Sequence, residues 1–428
     1  MFKKIAVILW CVLICGCTYL QKKTTSDEIH QYFSKSLVPE FSETTDYSKV
    51  DLGNTESFRV AMLLPLSGKH EPIGQSMKNA ATMAIGDLNN NSLVVQFYDT
   101  KGTDSGARIA VENAIDADAD LILGPLLSEE VSAISKRAKS KDIPVISFST
   151  SPAILQEGIY TLGLLTEDQL NRIVKYAQSQ GRTRLATVLP DNQSGENMFR
   201  MLFKATRRAG INLVKVGFYA PDSMEFTDLV TAMKGSHIDF DALLIPESGN
   251  RLKAISSMFS YYDVSYPEVL FMGTSVWANS SLSKETELYG AVYPSMSLTN
   301  QKHFTTKYNE LFAEKPSALS IYAYDAITLA SALSRKGKRN MEEEIQSPYG
   351  YVGMSGLFRI FEDGYNERGL DILKVTEEGE KIVESAPQQF YGLKPNNQQI
   401  SLSSGYYDMP IVYGKDAVAV QNILLNMR

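Results

Sequence analysis

The sequence predicts an α/β protein of two doubly wound lobes facing each other across a cleft. Short apolar runs alternate with segments whose apolar residues recur at about 3.6-residue spacing, the pattern of strands buried on both faces and the helices that cover them. The alternation breaks near Gly163 and restarts, so the unit occurs twice. A length of 428 residues is long for one domain and comfortable for two.

Taken in order, residues 59–64 form a buried strand, and Ile73, Met77, Ala80, Ala84 and Leu88 mark one face of the helix that follows. Residues 93–98 are strand, 103–117 helix, 120–123 strand, 129–140 helix and 144–148 strand: successive βαβ units, hence a parallel sheet. Past Gly163, Leu170, Ile173, Val174 and Ala177 share a helix face, 185–189 is strand, and Met198, Leu202, Ala205 and Ala209 line a helix that Gly210 ends. Strands at 212–218, 242–245 and 269–272 alternate with helices around 226–233 and 252–259. Open sheets bind ligands beyond the carboxyl ends of their strands, so the loops after the strands should line a cleft between the lobes.

The chain opens with Lys3 and Lys4, an apolar run at 5–14 and Cys15-Gly16-Cys17, the layout of a cleaved secretory leader too short to span a bilayer. Ile14-Cys15-Gly16-Cys17 resembles the bacterial lipobox, which implies a signal peptide over 1–16 and acylation of Cys17; Cys15 stands where Ala or Ser is commoner. Two or more acyl chains on one residue give stable attachment. Cys11 and Cys15 leave with the leader, so no thiol remains for disulfides, metals or catalysis. Thr18 follows the cysteine where Asp would mark retention at the inner membrane, and by the same resemblance this implies a periplasmic body anchored in the inner leaflet of the outer membrane.

Residues 17–57 are polar and read as a tether with a root-mean-square reach of roughly 35 Å. Within it, Ile29, Tyr32, Phe33 and Leu37 follow Ser26 at helical spacing, as a short capped helix or a segment docked on the body. The formal charge is -7, made more negative by loss of the leader lysines, and no Lys/Arg cluster occurs. A nucleic-acid partner is thereby excluded. No later apolar run approaches membrane-spanning length.

The loops after the strands carry a resemblance. Leu64-Pro65-Leu66-Ser67-Gly68 with Gly74 and Asp87-Leu88-Asn89 is followed by Tyr98-Asp99-Thr100, Leu123-Gly124-Pro125-Leu126 with Ser128, and Ile143-Pro144-Val145-Ile146-Ser147. Phe271-Met272-Gly273, Tyr322-Ala323-Tyr324-Asp325-Ala326 and Gly356-Leu357-Phe358-Arg359-Ile360 with Asp363-Gly364 complete the series. Together these resemble the type 1 periplasmic substrate-binding fold over about 58–383. The resemblance implies three crossings between lobes, near Gly163, Tyr289 and Ser347, in a hinge that closes around a ligand. The first lobe would hold 58–162 and 290–346, the second 163–289 and 347–391, with 392–428 a C-terminal extension beyond the usual end of the fold.

Ser149-Thr150-Ser151-Pro152 resembles the segment with which Leu/Ile/Val-binding proteins hold a ligand carboxylate, and Ser128 matches a second carboxylate position of that family. Hydroxyls and backbone N–H groups at a helix start bind anions without steric cost. With Ser67, Glu247 and Ser275 in loops after other strands, these make up the expected ligand-binding set; absent a ligand, the serines and Thr150 serve as N-caps and turn residues. Two departures weigh against an amino acid. After Phe271-Met272-Gly273 the family places an acid that pairs with the ligand ammonium, and here the chain reads Thr274-Ser275, leaving Glu247 as the substitute. Burying an ammonium unpaired costs several kcal/mol. The aromatic that covers the ligand in the family corresponds to Ile73.

Catalysis finds no support in the motifs. His30, His70, His237 and His303 sit singly, with no partner at metal-ligand spacing. Gly68-Lys69 lacks the earlier glycine of a P-loop, no GxGxxG follows a strand, and no GxSxG elbow occurs. No catalytic residue, metal or cofactor is expected.

Two non-enzymatic classes remain. A solute receptor would close on a small ligand, such as a branched-chain amino acid, and present it to the permease of an ABC importer. A regulator would contact another protein. The lipobox, Leu123-Gly124-Pro125-Leu126, Ala323-Tyr324-Asp325-Ala326 and above all Ile245-Pro246-Glu247-Ser248-Gly249 resemble penicillin-binding-protein activators, lipoproteins whose substrate-binding-like domain stimulates a peptidoglycan synthase. The activator reading is favoured, because an outer-membrane anchor is awkward for feeding an inner-membrane permease. Tyr261-Tyr262, Tyr266 and Trp277 cluster in sequence, as interface anchors or as packing residues, and no partner-binding residue is assigned among them.

Overall fold

The computed structural model describes residues 57–279, 282–390 and 409–416, together with 419 and 423. The leader, Cys17, the tether and most of the C-terminal extension lie outside the described residues. Among the described residues, no helix is long and apolar enough to cross a membrane.

The first sheet is parallel, with β1 (Phe58–Leu64), β2 (Leu93–Asp99), β3 (Leu121–Leu123), β4 (Val145–Ser147) and β5 (Ile159–Thr161) in the order β2-β1-β3-β4-β5. Its strand β1 shows why the sheet is covered twice. Phe58, Val60, Met62 and Leu64 enter one core with α1 (Glu71–Leu88), while Ala61 and Leu63 enter another with α2 (Asp104–Asp116) and α3 (Ser128–Lys139). A strand apolar on both faces is stable only between two helical layers.

The second sheet repeats the plan. Strands β6 (Arg184–Pro190), β7 (Asn212–Tyr219), β8 (Ala242–Leu244), β9 (Leu270–Met272) and β10 (Val292–Ser295) are parallel. Helices α4 (Thr166–Ser179) and α5 (Gln193–Ala209) share one core with them, and α6 (Thr227–Lys234) and α7 (Gly249–Tyr261) the other. The chain then returns to the first lobe as α8 (Leu298–Phe312), α9 (Ser320–Lys336), α10 (Met341–Ile345) and a small sheet of β11 (Tyr351–Gly353), β12 (Gly356–Ile360) and β13 (Asn366–Arg368). It ends in the second lobe with β14 (Asp371–Thr376) and β15 (Gly379–Glu384), both antiparallel additions, and β16 (Ile411–Tyr413), parallel to β7. Eight strands thus run in the order β15-β14-β10-β9-β8-β6-β7-β16.

One local device recurs in both lobes. Gly74, Gly106 and Gly195 lie in the first turns of α1, α2 and α5, and a Cβ at each would stand only 2.0, 2.0 and 1.9 Å from the carbonyl oxygens of Pro65, Thr100 and Pro190. Thr103 and Asn192 cap α2 and α5 by accepting from the N–H groups of Gly106 and Gly195. Glycine lets each helix press against the loop that leaves the preceding strand.

Two expected crossings are corrected. The first falls beside Gly163, between β5 and α4, but the second follows β10 rather than Tyr289, and the third lies between β13 and β14 rather than at Ser347. Strand β10 belongs to the second sheet because Val292 pairs with Met272 of β9 and with Lys374 of β14. Residues 351–368 belong to the first lobe because Phe358 and Ile360 are buried in its core with Tyr322 and Ile327 of α9. The first and third crossings are stitched together: the Asn366 amide donates to the carbonyls of Thr161 (3.0 Å) and Gly163 (2.9 Å), and Arg368 donates to that of Leu162.

Candidate functional site

Every loop named as a cleft lining leaves the carboxyl end of a strand, and the two sheets supply separate groups. From the first sheet come Ser67 after β1, Ser128 after β3 and Ser149, Thr150 and Ser151 after β4; from the second come Glu247 after β8 and Ser275 after β9. Among these seven, the described residues show one hydrogen bond, from the Ser151 N–H to Ser149 Oγ (3.2 Å). Ser67, Glu247 and Ser275 are engaged by residues distant in sequence, Ser128 by its neighbour.

Ser67 is held by Asp99 at the end of β2, donating its hydroxyl to Oδ2 (2.6 Å) and its N–H to Oδ1 (3.2 Å). Burial works against charge at Asp99, but the Ser67 hydroxyl and the N–H groups of Lys101, Leu66 and Ser67 outweigh it and hold the carboxyl below its ordinary range. Asp99 thereby fixes the loop after β1. Ser128 is the first residue of α3 and not its cap: Leu127 occupies the cap, Glu130 accepts the Leu127 N–H (3.0 Å), and Ser128 Oγ donates to Glu129 (3.1 Å). Burial pushes the Glu130 carboxyl up against the pull of Thr100 and the Leu127 N–H, and its Oε1 is buried with no hydrogen-bond partner.

The segment after β4 differs from the expected helix start. Pro152–Ile154 is a single 3-10 turn, which lacks the aligned peptide dipoles of a full helix. Its anion-binding capacity rests on the exposed Thr150 and on Ser151, since Ser149 is buried and its carbonyl accepts from Thr161 Oγ1 (2.5 Å).

In the second lobe Glu247 is closed from both sides. Oε1 accepts from the Tyr219 hydroxyl, and Oε2 lies 3.6 Å from Arg251 Nη1. Burial and then this bond to Glu247 raise the Tyr219 phenol well above its usual value, so it stays a donor. Ser275 donates its N–H to Gln169 Oε1 (2.8 Å), and the Trp277 indole donates to the Ile245 carbonyl (3.0 Å) with its ring directly under Gly273, where a Cβ would stand 2.1 Å away. Trp277 is a packing residue.

Sequence reasoning missed Glu130, Gln169, Tyr219 and Arg251, and it quoted Asp325 only as part of a motif. The structure shows Asp325 buried beneath the β11–β12 turn, accepting from the N–H groups of Met354 (2.6 Å) and Ser355 (3.0 Å) and from the Ser355 hydroxyl. Arg368 donates to Ser355 Oγ (2.5 Å), which ties this buried acid to the hinge. The one available signal was Glu130, three residues after a helix cap, the spacing of a capping box.

A family model described as periplasmic binding protein matches residues 57–377. The Leu/Ile/Val/Thr-binding protein of Salmonella typhimurium is 25% identical over 283 residues, 63% of this chain and 73% of that protein. An uncharacterised protein of Rickettsia prowazekii is 25% identical over 173 residues, 40% of this chain, and the chain spans 46% of its length. Among solved structures, a putative branched-chain amino acid ABC transporter from Rhodospirillum rubrum superposes with a TM-score of 0.69 at 16% identity, covering 76% of this chain and 100% of that one. The C-domain of LpoA (YraM) from Haemophilus influenzae, a regulator of PBP1A, superposes with a TM-score of 0.62 at 17% identity, covering 76% and 99%. With two mainly parallel sheets in two doubly wound lobes and a family match over most of its length, the chain belongs to the periplasmic binding protein family.

Proposed function

We propose that this chain is a non-enzymatic, periplasm-facing lipoprotein, anchored through Cys17, whose substrate-binding-like body regulates a peptidoglycan synthase. The observation that carries the reading is the engagement of Glu247 by Tyr219 and Arg251. A receptor for an amino acid has to offer the ligand ammonium an acid or several acceptors, because an unpaired buried charge costs several kcal/mol. Glu247 is the acid the loops supply, and Arg251 already neutralises it. The likeness to the regulator of PBP1A fits this reading, although one fold hosts many functions and the weight rests on the site.

The second reading is a receptor for a branched-chain amino acid feeding an ABC importer, and the Leu/Ile/Val/Thr-binding relative favours it. In that reading Ser67, Ser128, Ser149, Thr150 and Ser151 receive the ligand carboxylate, Ser275 adds a contact, and Glu247 exchanges Arg251 for the ligand ammonium. Crosslinking the chain in its native envelope and identifying the attached protein separates the two. A penicillin-binding protein supports regulation; an importer permease overturns it.

A further inference from the structure

A concavity of about 310 Å³ opens on the second lobe, at the opposite end of its sheet from the loops described above. Ser257 and Ser260 of α7 form one wall; Ser265 and Tyr266, which precede β9, and Thr286, Glu287 and Tyr289, which precede β10, form the rest. We propose that this groove binds a neutral oligosaccharide chain.

The lining carries the argument. Six of its seven residues bear hydroxyl groups and the seventh is a carboxylate, a set that exchanges hydrogen bonds with a polyol and offers little to an apolar ligand. Glu287 accepts from Ser257 Oγ (2.5 Å) through Oε1, which leaves Oε2 to receive a sugar hydroxyl. Lys374 donates to the Tyr266 hydroxyl (3.3 Å) and its charge is matched by that of Glu287, while Lys253, one turn before Ser257, is bound to Glu285 at 2.5 Å.

Two tyrosines supply flat apolar faces. Tyr261, one helical turn beyond Ser257 on the same side of α7, is 79% exposed, and Tyr266 is 41% exposed. Aromatic side chains normally bury 150–250 Å² each, so a ring left this far in water is available to cover the C–H face of a sugar. The two rings differ in how firmly they are packed. Tyr261 packs edge-on against Tyr262 with centroids 5.2 Å apart. Tyr266 lies on Gly290, where a Cβ would come within 2.5 Å of the ring, and Lys374 Nζ stands 4.9 Å from its centroid. Preorganised rings lose little entropy on binding.

The inference is independent of the proposed regulatory role. Its test is titration of the full-length chain with a soluble tetramer of β-1,4-linked N-acetylglucosamine, beside a proline-rich peptide, followed by calorimetry or NMR. Saturable binding of the tetramer is expected, weakened at least about tenfold in Tyr261→Ala, Tyr266→Ala and Glu287→Gln. Tyr261 is so exposed that Tyr261→Ala keeps the parent melting temperature, and a folding defect in another variant leaves the test intact. Absence of tetramer binding, binding indifferent to Tyr261→Ala and Glu287→Gln, or preference for the peptide overturns the proposal.

Discussion

At the residue scale, two carboxylates at the carboxyl edge of the first sheet behave in opposite ways. Asp99 is held charged by Ser67 and three backbone N–H groups, whereas Glu130 is buried with one oxygen unsatisfied. The sign of the consequence follows from linkage. Where the folded value is raised, the folded state holds its proton longer than the unfolded chain, so stability falls as pH rises from the ordinary glutamate range through the folded value. Glu130→Gln has no proton to lose. Its melting temperature should fall less than the parent's between about pH 4.5 and pH 7, and equal slopes would show that Glu130 is not buried as described. The positions of Ser67, Ser128, Ser149 and Ser275 after strands were legible, because strand ends follow from local apolar patterning. The partners of Ser67 and Ser275 were not: Asp99 is 32 residues from Ser67, and Gln169 is 106 residues from Ser275. No local rule connects them.

At the element scale, the alternation of strand and helix through residue 272 was legible except for the edge strand β5, and for the same physical reason in both lobes: central parallel strands must be apolar on both faces. Strands β14 to β16 escaped that logic. Strands β14 and β15 pair antiparallel at one edge, and β16 comes from beyond the family match to close the other against β7. Lys415 follows β16 and contacts Asp191 (2.5 Å) and Glu196 (2.9 Å) beside the ring of Phe218. Burial lowers its affinity for the proton, but the two acids outweigh this and raise it. Lys415→Met leaves two acids facing each other at a partly exposed site, which should cost about 1–2 kcal/mol. Circular dichroism should then show a melting temperature lower by several degrees, with faster proteolysis of the C-terminal segment. Unchanged melting and cleavage would mean that β16 is not part of the working sheet.

At the scale of the whole molecule, the lobes are linked by crossings that the chain itself ties together. Asn366 and Arg368 bind the carbonyls of residues 161–163, and Arg368 leads through Ser355 to the buried Asp325. The crossings at Tyr289 and Ser347 were what the family resemblance implied, whereas the observed ones are set by sheet pairing and by burial of Phe358 and Ile360. In the proposed reading, Glu247, held by Tyr219 and Arg251, is not left free for the ammonium of an amino acid.

The most direct measurement is the rate of glycan polymerisation by a purified penicillin-binding protein from the same envelope, with and without the purified chain. The account predicts a saturable increase in that rate and no change in the chain's melting temperature with leucine, isoleucine or valine. An unchanged rate, with a melting temperature that rises in one of these amino acids by the equivalent of about 2.7 kcal/mol at a hundredfold excess over its Kd, would contradict it.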